Sequence, residues 1–140
     1  MSDGIQELLG QIELRERAEM EENIRFNTER RMIESLAPDK WNALKESIKA
    51  TLLEMRPLHL QHTETASTLV VSRFKGGVAV RTLTLAFDSS IPRISWCCFP
   101  PRKTGSITFS LQVSTLFYVA NDAVRTEDEV VAVLLSCLTG

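Results

Sequence analysis

Two histidines three positions apart, His59 and His62, and two adjacent cysteines, Cys97 and Cys98, are the residues of this chain whose types best suit reactive chemistry. A tetrahedral zinc site draws its sulfurs from a C-x(2–4)-C spacing, which lets both turn to one ion. Adjacent cysteines on a strand point to opposite faces instead. The expectation is therefore no metal centre, with one cysteine buried and the other half-exposed. A cysteine nucleophile would need an imidazole close enough to lower its pKa, and both histidines lie ahead of the β-rich region. Nothing around Cys97-Cys98 resembles a nucleophile turn, which favours packing within a strand. Asp88, Asp122 and Asp128 fall in turns or at a helix start, where aspartate caps backbone donors. Paired acids, a phosphate-binding glycine loop and a dinucleotide fingerprint are all missing. The expected protein has no catalytic residue and no cofactor.

The elements that would position any site follow from charge and periodicity. Residues 1–56 hold nine bases and twelve acids, residues 57–125 seven bases and three acids, and residues 126–140 three acids. The β-rich part is thus the basic portion of a chain whose net charge is -2. Ile5, Leu8, Leu9 and Ile12 open a helical stripe that thins over 13–31, where charged pairs such as Glu13 with Arg17 and Glu21 with Arg25 take over. Pro38 suits the first turn of a second helix and Pro57 ends it, with Trp41, Leu44, Ile48, Leu52 and Met55 on one face between them. Residues 58–66 read as a loop. Strands are expected at 68–74, 78–87, 92–99 and 106–119, the first two joined by a Gly76-Gly77 turn. Thr126 with Glu129 forms a capping box that opens an apolar last helix.

The expected fold is α+β: two N-terminal helices, a four-stranded antiparallel meander and one C-terminal helix packed on the sheet. It is read as a single domain over 1–140, divided into a charged helical arm (1–36), an amphipathic helix (38–56), the sheet (67–119) and the last helix (126–138). The length supports a core without disulfide staples. Three cysteines make no disulfide framework, and the first residues lack the basic and apolar regions of a signal peptide, so a cytoplasmic protein is expected. No apolar run is long enough for a membrane span.

A two-residue glycine turn pairs Lys75 with Val78 and Arg73 with Val80. That register puts Val70, Phe74, Leu83, Leu85 and Phe87 on the core side. Leu69, Val71, Val78 and Val80 then lie opposite, beside Arg73, Thr82 and Thr84. A contiguous apolar patch of this kind marks a contact: either the first helix covers it or another subunit does. The leading expectation is a non-catalytic interaction module that binds another protein, as a homodimer, through the first helix and this face. The candidate binding residues are Val71, Arg73, Val78, Val80, Arg81 and Arg93. The alternative is a pocket on the curled sheet that holds a small anionic ligand through Arg81 or Arg93. Nucleic acid ranks third: the basic residues interleave with Phe74, Trp96 and Phe99, but Lys75-Gly76-Gly77-Val78 lacks the aromatics of an RNA-recognition sheet.

Overall fold

The computed structural model describes residues 2–139. It has one N-terminal helix where two were expected, α1 (Ser2–Glu54), followed by a single 3-10 turn (Arg56–Leu58). Seven strands succeed it: β1 (Leu60–Glu64), β2 (Thr68–Lys75), β3 (Val78–Asp88), β4 (Arg93–Phe99), β5 (Lys103–Gln112), β6 (Thr115–Ala120) and β7 (Ala123–Arg125). The closing helix is α2 (Glu127–Thr139). Pro38 lies inside α1 rather than opening a new helix. An interior proline costs about 3 kcal/mol through its missing amide hydrogen and its ring clash. Burial around it offsets that cost, because Ala37 and Trp41 are at most 1% exposed.

The chain forms two compact units, one ending at Met32 and the other beginning at Ile33. In the second unit the strands are antiparallel and ordered β1 to β7, each paired with its sequence neighbour. The sheet therefore has seven strands where four were expected. β1 escapes a composition-based reading because it is short and mostly exposed, with the polar sequence Leu60-Gln61-His62-Thr63-Glu64. The single strand expected over 106–119 is a hairpin of β5 and β6. Its turn places Val113 at φ 61 with its whole side chain exposed, a conformation that β-branched residues rarely adopt. Asn121 and Asp122, both at positive φ, turn β6 into β7, and these residue types tolerate that geometry.

Between β2 and β3 the glycine turn forms as expected, with Lys75 opposite Val78 and both glycines at positive φ. Two residues further along β2 the pairing departs from expectation. Arg73 lies opposite Arg81 and Phe74 opposite Ala79, so Val80 is an extra residue in β3 and the ladder carries a bulge. One extra residue reverses the facing of everything on β2 beyond it. Leu69 and Val71, expected outside, oppose Leu85 and Leu83 and are fully buried; Val70 and Phe74, expected inside, are half-buried.

The core lies between one sheet face and the two helices. Trp41, Leu44, Ile48 and Leu52 of α1 join Val130, Val131, Leu134, Leu135 and Leu138 of α2 over Leu69, Val71, Leu83, Leu85, Ile94 and Ile107. The capping box is present in both directions: the Glu129 amide donates to the Thr126 hydroxyl at 3.2 Å, and the Thr126 amide to the Glu129 carboxylate at 3.4 Å.

Tyr118, the chain's only tyrosine, ties three elements together. Its hydroxyl donates to the Lys40 carbonyl at 2.7 Å and lies 3.3 Å from one Glu127 oxygen, while the other Glu127 oxygen accepts from Ser47 at 2.7 Å. Burial, with the Glu127 charge beside it, holds the phenol pKa well above its ordinary 10. The folded protein thus retains the neutral phenol, whereas the unfolded chain loses its proton from about pH 10. The contribution is complete below pH 10, and stability falls above it by up to about 1.4 kcal/mol per pH unit. Tyrosinate absorbance should rise only together with the loss of helical circular dichroism. A phenol that ionises near pH 10 in a chain still folded would contradict this.

Candidate functional site

Arg73 and Arg81 sit opposite each other on β2 and β3, and both reach the C-terminal end of α2. Arg73 Nη1 donates to the Leu138 carbonyl at 3.0 Å and Arg81 Nη1 to the Cys137 carbonyl at 2.9 Å. A helix leaves its last four carbonyls without intrahelical donors and carries partial negative charge there. α2 has no base of its own in its last turn. The sheet supplies two, so these arginines fasten the helix and their guanidinium groups are already engaged.

The other expected residues do not gather around them. Val71 lies in the core with no exposed surface. Val78 is exposed at the glycine hairpin, and Val80 is half-buried at the bulge. Arg93 is exposed at the far end of β4, opposite Asp88. One Asp88 oxygen accepts from the Ser90 hydroxyl and amide at 2.6 and 3.0 Å. Those bonds, joined by the Ile91 amide, lower the Asp88 pKa, the behaviour of a turn-capping carboxylate. The apolar patch expected from Val71, Val78 and Val80 is not formed, because the bulge carries Val71 to the opposite side.

The cysteines divide between the faces. Cys98 is buried opposite Leu83, and its Sγ lies 3.6 Å from the Cys137 carbonyl; Cys97 is half-buried opposite Thr84. Burial, with Cys137 close by, pushes the Cys98 thiol up to about 11, so at neutral pH it is protonated and a poor nucleophile. His59 ends the 3-10 turn at φ 52, and His62 lies on β1. With Lys49 and Arg56 they border an open hollow of about 390 Å³. Lys49 is engaged there by Glu46 at 2.7 Å and Glu64 at 2.8 Å. Among the described residues no group of three or more His, Cys, Asp or Glu side chains is placed to hold a metal.

The sheet face away from the helices is rich in hydroxyls. The register puts Ser72, Thr82, Thr84, Ser95, Thr104 and Ser106 there, and Ser72 and Thr82 hydrogen-bond at 3.1 Å.

Many of the exposed large apolar side chains lie elsewhere, on the first unit. Every residue from Gln11 to Arg30 is exposed. Large side chains among residues 3–32 are left in water, including Leu8 at 60% and Phe26 at 64% exposure. At 3.6 residues per turn, Ile5, Leu8, Leu9, Ile12, Met20 and Phe26 share one helical face, with Leu8 and Phe26 about five turns apart. Leu14 and Ile24 fall outside that stripe. Ile5 to Ile12 announce the stripe in the sequence, but none of these residues stood among the candidate binding positions, because charged residues interrupt the pattern after Ile12.

No family model matches the chain, and neither a curated protein nor a solved structure matches it. Among the described residues no helix is long and apolar enough to cross a membrane.

Proposed function

We propose that this is a non-catalytic cytoplasmic interaction module that associates through residues 3–32 of α1, and that its assembled form is a homodimer. The observation that carries the reading is the exposed stripe of Ile5, Leu8, Leu9, Ile12, Met20 and Phe26. Fully burying a side chain of this size contributes about 1.5–3 kcal/mol, so a helix that leaves six in water gains substantially from a partner. Isolated helices are marginal even with good formers, and exposed ion pairs add only about 0.2–0.5 kcal/mol each. The free cysteines fit a reducing compartment. Of the two arginines on which an anion pocket would rest, Arg81 is engaged by α2 and Arg93 is exposed at the start of β4, so the alternative gains less support than the stripe does.

The test is light scattering of the full chain after size exclusion. A dimer is expected at micromolar concentration. Leu8→Asp combined with Phe26→Asp should raise the dissociation constant at least about tenfold, a change of about 1.4 kcal/mol. The unfolding midpoint of the second unit should stay where it was. A wild-type monomer at that concentration would overturn the homodimer.

A further inference from the structure

We propose that Cys98 and Cys137 are a redox pair, a site at which a hydroperoxide closes a reversible disulfide between β4 and the last turn of α2. The proposal is independent of the interaction reading above. Successive strand residues point to opposite faces, and Cys98, not Cys97, is the one in the core beneath α2. Its Sγ lies 3.6 Å from the carbonyl oxygen of Cys137 itself, and the two thiols are close enough to hydrogen-bond to each other. A disulfide joins α-carbons about 4.4–6.8 Å apart, so two thiols already in contact need little backbone movement to close one.

The surroundings hold the pair in place. Arg81 donates to that same Cys137 carbonyl at 2.9 Å and Arg73 to the neighbouring Leu138 carbonyl at 3.0 Å, which sets the end of α2 against β2 and β3. Leu83, opposite Cys98 on β3, and Leu138, next to Cys137, are fully buried, and close packing of this kind leaves the two sulfurs little freedom to part. Cys97 lies on the other side of the sheet, opposite Thr84, so the fold selects one pair from the three cysteines.

Exposure divides the roles. Cys137 is half-buried and Cys98 is buried, so a hydroperoxide meets Cys137 first. The Cys137 sulfur attacks the peroxide, the O–O bond breaks, and a sulfenic acid forms as water or an alcohol departs. Cys98 Sγ then attacks that sulfur: the S–S bond forms, the S–O bond breaks, and the hydroxyl leaves with the Cys98 proton as water. Two thiols are oxidised and one hydroperoxide is reduced. With its thiol pushed up to about 11, Cys98 is a thiolate in only about one molecule in ten thousand at pH 7. Placement offsets that weakness, because well-oriented intramolecular groups react at effective molarities of about 10⁵ M or more. The closed bond spans 39 residues of sequence, and it ties the sheet to the helix that covers it.

The test treats the reduced full-length chain with a small excess of hydrogen peroxide, then alkylates the remaining thiols in denaturant. The expected product is lighter by two hydrogens, carries an alkyl group on Cys97 and yields a peptide linking Cys98 to Cys137; dithiothreitol reverses it. Its rate of formation should not depend on protein concentration, and amide exchange in the last turn of α2 should slow at least about tenfold. Cys97→Ser should still close the bond. Cys98→Ser should stop at a Cys137 sulfenic acid that dimedone traps, and oxidation of the unfolded chain in guanidinium should lose the preference for this pair. A wild-type product linked through Cys97, a disulfide between copies, or a sulfinic acid formed with no loss of two hydrogens would overturn the proposal. Should Cys98→Ser not fold, the wild-type peptide map decides alone.

Discussion

Replacing Trp41 with alanine lowers the free energy of unfolding by about 3–5 kcal/mol. The indole is 1% exposed and meets three different neighbours. Its ring stacks on Phe87 with centroids 5.8 Å apart and planes 18° from parallel. The Lys45 ammonium lies 5.3 Å from the ring. Its Nε1–H donates to the Ala66 carbonyl at 2.8 Å, in the loop between β1 and β2. Truncation opens a cavity in the core and removes the shorter of the bonds at that carbonyl, leaving Lys45 at 3.3 Å. Total stabilities run to about 5–15 kcal/mol, so the loss is a large share of what holds the second unit together. Chemical denaturation should show a lower midpoint with an unchanged slope. Trp41→Phe keeps most of the ring but not the bond to Ala66, and should lose less. A loss under about 1 kcal/mol for Trp41→Ala would contradict the role given to the ring.

Substituting both Arg73 and Arg81 with methionine should cost about 2–4 kcal/mol. Methionine preserves much of the aliphatic stem, so the change isolates the bonds to the Leu138 and Cys137 carbonyls. Each bond has a charged donor, and such bonds contribute about 1.5–3 kcal/mol apiece; partial exposure of both arginines brings the sum down. The two guanidinium groups face each other across the strand pair and repel. Removing one relieves that repulsion, so each single substitution should cost less than half of the double. Amide exchange in the last turns of α2 should accelerate before that of β3. If both substitutions left stability and exchange untouched, the arginines would not be fastening α2, and an anion-binding role for Arg81 would regain weight.

Much of the local structure is legible in the residues, and the failures are informative. Thr126 and Glu129 mark the start of α2, Gly76-Gly77 marks a hairpin, and Trp41, Leu44, Ile48 and Leu52 mark a core-facing helix. Each of these signals is local and chemical. Two of the errors come from places where tertiary context overrules a local preference. Pro38 suits the first turn of a new helix, yet it lies inside α1, with Ala37 and Trp41 buried on either side of it. Val113 normally avoids positive φ, yet it turns β5 into β6. β1 is hidden in the sequence for another reason: a short edge strand has few side chains to bury and so little hydrophobic pattern to show.

The bulge at Val80 had the widest effect on the candidate site. A single uncounted residue, with no glycine or proline to announce it, reversed β2 and moved Val71 from a proposed contact into the core. Arg73 and Arg81 were singled out for their charge. Their connection to α2 depends on contacts that span 65 and 56 residues of sequence, which no local motif encodes. The exposed helix stripe was half-visible in Ile5 to Ile12, and only its exposure gave it weight as a binding surface.

The order of the sheet also has a kinetic consequence. Every strand from β1 to β7 pairs with the one before it, so each hairpin can close over a short loop at small entropic cost. The cover for the apolar face is different in kind, because α2 is made after every strand on which it rests. During synthesis Leu83 and Leu85 therefore wait for a helix that does not yet exist, with α1 already present to shield part of that face. Until the whole of α2 has emerged, the apolar surface it covers stays open, the kind of transient exposure that favours aggregation.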